Sequence, residues 1–351
     1  MTHLSTLTLM IEEDRLPPPA CSAHACPGEM GASSVAKSST HPTLGIVSAY
    51  YGLNIAGLYA SGHVGTSGGA GSGYFLTMGR ARRANVSALA FIEVGNAFAR
   101  QLCMQCGLDV KQGFDRDDLL HWAKQESIGS HFHACITIHS HKYGVREVAG
   151  KRSSWHGAKI AAFIMAPFEL SVFLDADTVV CPSNMEAILR HGFELMGSHQ
   201  VGGVFEQMPW SIDELNSGVI FWRRSGLTRA MWDMWQANHS DVVESILSQP
   251  CTGGYQTECD PARTSTGRQE VIVPDQIAFS VVLRAFYYSH GLRVHTFHSM
   301  WNARPGNPLV CPWDPTCKGP CLSCSRMCCR TPLADGTLAL IDHGCSFEGN
   351  T

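Results

Sequence analysis

The sequence predicts a single α/β domain, and three observations carry that prediction. Short apolar, β-prone runs alternate with longer segments of helical period instead of being grouped apart. An acidic pair, Asp175 and Asp177, stands past the apolar run Val172, Phe173, Leu174. A helical segment directly precedes that run, and acid at a strand's carboxyl end is where α/β domains place their ligands. At 351 residues and 44% hydrophobic content, the chain is long enough to bury a substantial core.

Along the chain, residues 1–41 mix Pro17, Pro18 and Pro19 with Ser, Ala and Gly without a hydrophobic period, and are expected to form a disordered tail before a domain at 42–351. LGIVSAYY (44–51) is a strand leading towards the Gly/Ser stretch 61–73, which fits neither GxxxxGK[ST] nor GxGxxG and reads as a linker or surface insertion. NAFARQLCMQC looks helical and carries the CxxC pair Cys103 and Cys106, to which the sequence assigns no purpose. From His131 to His141, alternation sets Phe132, Ala134, Ile136 and Ile138 against His131, His133, Cys135, His139 and His141, which predicts a half-buried strand. Two histidines at i, i+2 can share zinc, but a solvated polar face explains the pattern, and these histidines stay outside the site.

KIAAFIMAPFE reads as a helix stopped by Pro167, and SVFLDADTVV as a buried strand carrying two carboxylates past its end. GVIFW (218–222) and LRVHTF are strands; RAMWDMWQANHSDVVESIL and DQIAFSVVLRAFYYSHG are helices, the second closed by Gly291. No internal repeat emerges.

Composition narrows the function classes. Lys and Arg total 26 against 30 Asp and Glu, a net charge of −4, with no basic run to track a phosphate backbone, so nucleic acid is an unexpected partner. No window reaches the roughly 20 apolar residues of a membrane helix, and Glu12, Glu13 and Asp14 fall where a signal peptide would continue apolar, so the chain as written reads as soluble. Fifteen cysteines are many for a cytosolic enzyme. The sequons at Asn85 (NVS) and Asn238 (NHS) suit a secretory lumen, although triplets this short also arise by chance. Cysteine content thus favours a secretory lumen, the lack of a leader favours the cytoplasm, and the compartment stays open.

The acidic pair has a specific chemistry. Two adjacent carboxylates at the rim of a core repel each other, a divalent cation relieves the repulsion, and hard oxygen donors select Mg²⁺ or Mn²⁺ over zinc. Such a metal can hold a diphosphate and stabilise the charge that grows on a departing nucleoside diphosphate. The alternative is an Asp-rich turn after a strand, with the next helix capped at Ser183.

Further motifs in fixed order favour the first reading. WHGAK (155–159) through PFELSVFLDADT (167–178), then LNSGVIFW (215–222), PDQI (274–277), WNAR (301–304) and LIDHG (340–344) resemble the glycogenin-like nucleotide-diphospho-sugar transferases of the GT-A fold. The resemblance runs from about Trp155 to His343. It implies a mixed, mostly parallel central sheet flanked by helices and a metal-dependent, retaining transfer of sugar from a nucleotide-diphosphate sugar to a carbohydrate or protein acceptor. By the same resemblance Asp175, Asp177 and His343 are metal ligands. Lys159, Asp175, Asn302 and Arg304 face the donor, and Asn216, Asp275 and Gln276 orient the sugar at the reaction centre. From the residues alone, Lys159 is equally a solvated helix charge, Asn216 a turn residue and Asp275 a helix N-cap. Tyr50 or Tyr51 either stacks on the nucleotide base or packs in the core.

The chain also departs from the family. After His343 it reads GCSFEGNT in place of the family's Gly and Lys-Pro-Trp, so the diphosphate must use another cation, Arg304 or Lys159. A Pro/Gly-rich insertion at about 305–335 carries Cys311, Cys317, Cys321, Cys324, Cys328 and Cys329, and is too polar for a core of its own. Disulfides are favoured over zinc there, because a zinc ribbon would show two CxxC pairs at wider separation. Two other functions compete. One is a haloacid-dehalogenase-type phosphatase with Asp175 as nucleophile, although no later GD dipeptide supports it; the other is a catalytically silent sugar- or partner-binding module.

Overall fold

The computed structural model describes residues 43–50, 78, 81–94, 99–100, 103–104, 108–126, 131–143, 147–148, 151–153, 156–175, 178–182, 184–205, 214–248, 259–260, 269–271, 275–303 and 337–343. The expected tail, the Gly/Ser stretch, the cysteine insertion, Tyr51, Asp177 and Arg304 lie outside these residues, as do the side chains of Tyr50 and His343.

In chain order the elements are β1 (Leu44–Tyr50), β2 (Ser87–Glu93), β3 (Asp109–Lys111), α1 (Arg116–Glu126), β4 (His133–Ile138), β5 (Glu147–Val148), β6 (Lys151–Ser153), α2 (His156–Met165), β7 (Leu170–Leu174), β8 (Thr178–Val180), α3 (Met185–Met196), β9 (Val201–Phe205), β10 (Leu215–Arg223), α4 (Gly226–Ser248), β11 (Cys259–Asp260), β12 (Gln269–Val271), α5 (Asp275–Ser289), β13 (Val294–Thr296) and β14 (Ile341–His343). Eight strands form one sheet in the order β13-β9-β10-β7-β1-β2-β4-β3. All neighbours in it are parallel except β10, which runs against both β7 and β9. This is the mixed, mostly parallel α/β sheet expected from the sequence.

Both faces of the sheet are covered, so its strands read as near-continuous apolar runs. One face packs Ile46, Ala90, Val172 and Phe221 against Ile188, Leu189 and Phe193 of α3. Here α3 approaches closely, since a Cβ on Gly192 would lie 2.7 Å from the Phe221 ring. The other face packs Val47, Phe91, Phe173 and Trp222 against Phe163 of α2, Trp232 and Trp235 of α4 and Phe279 of α5.

The topology picks out one position. From β1 the chain moves outward to β2 and β4 on one side, then returns to place β7 on the other side. The order therefore reverses between β1 and β7, and ligands of α/β sheets bind outside the carboxyl ends of strands at such a point. Residue 175 follows the carboxyl end of β7.

Three local expectations are corrected. SVFLDADTVV is two strands: β7 ends at Leu174, the chain turns, and β8 pairs with β14 in a sheet of its own. The turn is closed by Thr178, whose N–H and hydroxyl both donate to the Asp175 carbonyl, at 3.0 and 2.6 Å. The strand expected to reach His141 ends at Ile138, and residues Ser140–Tyr143 form a short 3-10 helix. Cys135, on its histidine face, is fully buried and disulfide-bonded to Cys103, because β4 lies inside the sheet. Finally, the helix after the acidic turn is capped by Asn184, whose Oδ1 accepts from the Ala187 N–H; Ser183 lies outside the described residues.

Candidate active site

The carboxyl edge of β7 holds a buried ionic cluster built from four elements. Apolar Leu170–Leu174 carries the chain through the core, which leaves Asp175 at the rim with its side chain 14% exposed. Its backbone N–H still donates to the Gly218 carbonyl at 2.8 Å, continuing the ladder to β10. From α2, Lys159 reaches across with its side chain 3% exposed. Its Nζ lies 3.3 and 3.4 Å from the two Asp175 oxygens and 3.0 Å from Asp275 Oδ2. It also donates to Ser217 Oγ at 3.0 Å and sits 5.3 Å from the centre of the Phe173 ring.

Burial alone would push the Lys159 pKa down, but the Asp175 and Asp275 carboxylates more than reverse that and hold it above the ordinary lysine value. Lys159 is therefore an ammonium shared between two carboxylates, and the solvated helix charge is excluded.

Ser217 completes the cluster. Its hydroxyl accepts from Lys159 and donates to Asp275 Oδ2 at 2.9 Å, while its N–H donates to Gln276 Oε1 at 2.9 Å. Gln276 returns the contact by donating from Nε2 to the Leu215 carbonyl, so its amide clamps the start of β10 to the first turn of α5. The indole of Trp235 donates to the Asp275 carbonyl at 3.3 Å. Sequence reading left Ser217 out; its place between the Asn216 and Gly218 of the LNSG segment was the available signal.

Asn216 lies inside β10 and is buried, which removes the turn reading. Its Oδ1 accepts from the Gly218 N–H at 2.9 Å and from Asn302 Nδ2 at 2.8 Å, which fixes the orientation of its amide. Asn302, 1% exposed, follows the 3-10 turn Ser299–Trp301. Asp275 opens α5 and directs its carboxylate into the cluster.

Backbone pairing gathers the remaining motifs at the same edge. β14 runs antiparallel to β8 with His343 opposite Thr178, next after Asp177 in the chain. Ala303, preceding Arg304, bridges to Asp342, and its N–H donates to the Ile341 carbonyl at 2.9 Å. Three segments, around residues 178, 303 and 342, thus meet side by side. Among the described residues, no group of three or more His, Cys, Asp or Glu side chains is placed to hold a metal; of the three expected ligands, only Asp175 has a described side chain.

No protein-family model matches the chain, and no curated protein matches it. Among solved structures, the chain is similar to mouse xyloside xylosyltransferase 1 in its apo form, at 10% identity over 86% of this chain and 97% of that one, with a TM-score of 0.40. It is similar to an active-site mutant of LgtC at 12% identity over 86% and 87% of the two chains, with a TM-score of 0.36. A third likeness is to the glycosyltransferase GlyE of Streptococcus pneumoniae TIGR4, at 10% identity over 76% of this chain and 48% of that one, with a TM-score of 0.33. Likenesses at this level concern the path of the chain. What the chain's own residues build is an α/β sheet with paired, buried charge at its switch point.

Proposed function

We propose that this protein is a metal-dependent glycosyltransferase that moves a sugar from a nucleotide-diphosphate donor to a carbohydrate or protein acceptor, with retention of configuration. One observation carries the reading: Lys159, Asp175, LNSG, DQ, WNA and IDH, scattered through the sequence, converge on the carboxyl edge of the sheet at its switch point.

The residues suit Mn²⁺ or Mg²⁺. Asp175 offers hard oxygens at the rim, and the β8–β14 register brings position 343 beside the residue that follows Asp177. Asp175, Asp177 and His343 would hold the ion, which when bound neutralises charge growing on the departing diphosphate. Lys159 and Ser217 fix the Asp175 and Asp275 carboxylates, so little reorganisation accompanies reaction. Gln276 and Asn302 hold β10 and the Asn216 amide, and Asn216 and Asp275 then orient the sugar. Arg304 supplies positive charge towards the diphosphate, with Lys159 contributing through the carboxylates it holds. The buried Cys103–Cys135 disulfide, together with the disulfide-bonded Cys181, supports an oxidising secretory compartment. Among the described residues no helix is long and apolar enough to cross a membrane.

The test is donor hydrolysis by the purified protein across a panel of nucleotide sugars, with and without Mn²⁺. The expected result is metal-dependent release of nucleoside diphosphate, abolished by Asp177→Ala with the fold intact. Cleavage of an aryl phosphate instead points to the phosphatase, and silence in both assays to a binding module; either result removes the proposal.

A further inference from the structure

The NVS sequon occupies a distinctive place in the fold. Residues 81–83 are helical and residues 84–85 form a turn that enters β2. Asn85 is the one non-glycine residue with positive φ among those described, at 54°. The Val86 N–H donates to the Ala81 carbonyl at 2.9 Å and the Asn85 N–H to the Arg82 carbonyl at 3.4 Å. That pair of bonds is the Schellman closure of a helix, with Asn85 as the left-handed residue that ends it. The backbone there is satisfied by backbone, Asn85 is exposed, and among the described residues its side-chain amide makes no hydrogen bond.

Two further facts bear on this turn. β2 and β7 both run parallel to β1, with Ser87 opposite Gly45 and Leu170 opposite Leu44. Asn85 therefore sits at the amino edge of the sheet and Asp175 past the carboxyl edge, so a large group on Asn85 leaves the candidate active site clear. β2 also pairs with β4, whose Cys135 is bonded to Cys103, and disulfides persist in the compartments where asparagine-linked glycans are added.

The second sequon differs. Asn238 lies within α4, half-buried, with Nδ2 donating to the Met234 carbonyl at 3.1 Å, and Ser240 Oγ donates to the Gln236 carbonyl at 2.9 Å. Both side chains are turned onto their own helix.

The geometry points to Asn85 as an N-glycan acceptor that is modified before β2 closes and carries its glycan in the folded protein. The donor is a lipid-linked oligosaccharide diphosphate of the secretory lumen. An Nδ2–H bond gives way to a bond from Nδ2 to the sugar anomeric carbon, and that carbon's bond to the diphosphate oxygen breaks. The lipid diphosphate leaves with the electron pair, and the proton passes to a base of the host transferase. Ser87 supplies the sequon hydroxyl before β2 closes; in the folded chain it is buried and accepts from the Phe132 N–H at 3.3 Å.

The full chain, given a secretion leader and expressed in a eukaryotic cell, tests this independently of any enzymatic activity. Folded secreted protein should show a mobility shift removed by peptide N-glycosidase, with heavy-oxygen label left at position 85 after digestion in labelled water. Asn85→Gly keeps the left-handed turn, Ser87→Ala keeps the asparagine, and both should lose the modification at position 85; Ser87→Thr should keep it. A folded, secreted wild type that is bare at Asn85, or modified at Asn238 alone, overturns the proposal.

Discussion

Two clusters lie side by side on one face of the sheet, built from the same two elements and opposite in character. Lys159 and Phe163 are one turn apart on α2, and Phe173 and Asp175 are two residues apart along β7. One pair founds the ionic cluster with Asp275 and Ser217. The other founds an aromatic cluster in which the Phe163 ring lies 4.6 Å from Phe173, 4.9 Å from Trp222, 4.6 Å from Trp232 and 5.0 Å from Trp235. Buried aromatic area stabilises directly, whereas a buried ion pair roughly offsets its own desolvation and contributes mainly through geometry. The aromatic cluster thus anchors α2 to the sheet, and the ionic cluster uses that anchor to aim two carboxylates.

Breaking one partner of the ionic cluster has the largest expected effect. Lys159→Met removes the ammonium shared by the Asp175 and Asp275 carboxylates and should cost about 3–5 kcal/mol in a denaturant titration, with donor turnover lost. Adding Asp275→Asn should restore most of the stability and none of the turnover. If both return together, the cluster is structural and the contrast fails.

Phe163→Ala should cost a similar or slightly smaller amount, about 3–4 kcal/mol. Here no second substitution among charged groups rescues it, and turnover per folded molecule should change by no more than a few-fold. Comparing the two variants separates packing from aiming.

A third measurement lies outside both clusters and calibrates them. Burial pushes the His133 pKa down to about 4, against a partial upward pull from its hydrogen bond to the Val86 carbonyl at 2.9 Å. The unfolded chain takes up a proton below the ordinary histidine value of about 6.5, while the folded chain resists until about 4. Stability is therefore fully present above pH 6.5 and falls as pH drops towards 4, by about 2–3 kcal/mol in total. Urea midpoints across that range should show the slope, and His133→Asn should flatten it.

The smallest effect sharpens the comparison most. Ser217→Ala removes a single hydroxyl from the ionic cluster and should cost about 1 kcal/mol of stability, yet lower kcat about tenfold with KM little changed, since a tenfold rate loss is about 1.4 kcal/mol of transition-state stabilisation. Ser217→Thr keeps the hydroxyl and should recover the loss. A variant with unaltered kcat would remove Ser217 from the aiming role.

Much of this architecture was legible in the residues. The runs ending at Leu174 and Trp222 and the helix over 229–247 are strongly periodic or apolar and fall inside observed elements, and the helix expected over DQIAFSVVLRAFYYSHG is observed as Asp275–Ser289. β2 was not legible: SALAFIE is rich in alanine, a weak strand former, and becomes a strand through its parallel pairing with β1 and β4. The break between β7 and β8 was hidden as well, because apolar residues flank the acidic turn on both sides, and only the pairing of β8 with β14 shows that the second half leaves the main sheet. The disulfide escaped for a related reason. Cys103 and Cys135 are 32 residues apart, and their meeting depends on how the segment carrying Cys103 lies against β4.

By itself the amino-acid sequence determined the α/β class and marked the acidic turn, because periodicity and residue chemistry are local properties, whereas Lys159, Asn216, Asp275, Gln276 and Asn302 stood out only through the resemblance of their motifs to a known family. Only the tertiary structure decided that Lys159 bridges Asp175 and Asp275, that Ser217 joins them, that His343 stands opposite Thr178 and that Ala303 bridges to Asp342. Those are contacts between positions far apart in the chain. Such contacts are set by which strand pairs with which and which face a helix covers, and no local pattern encodes either.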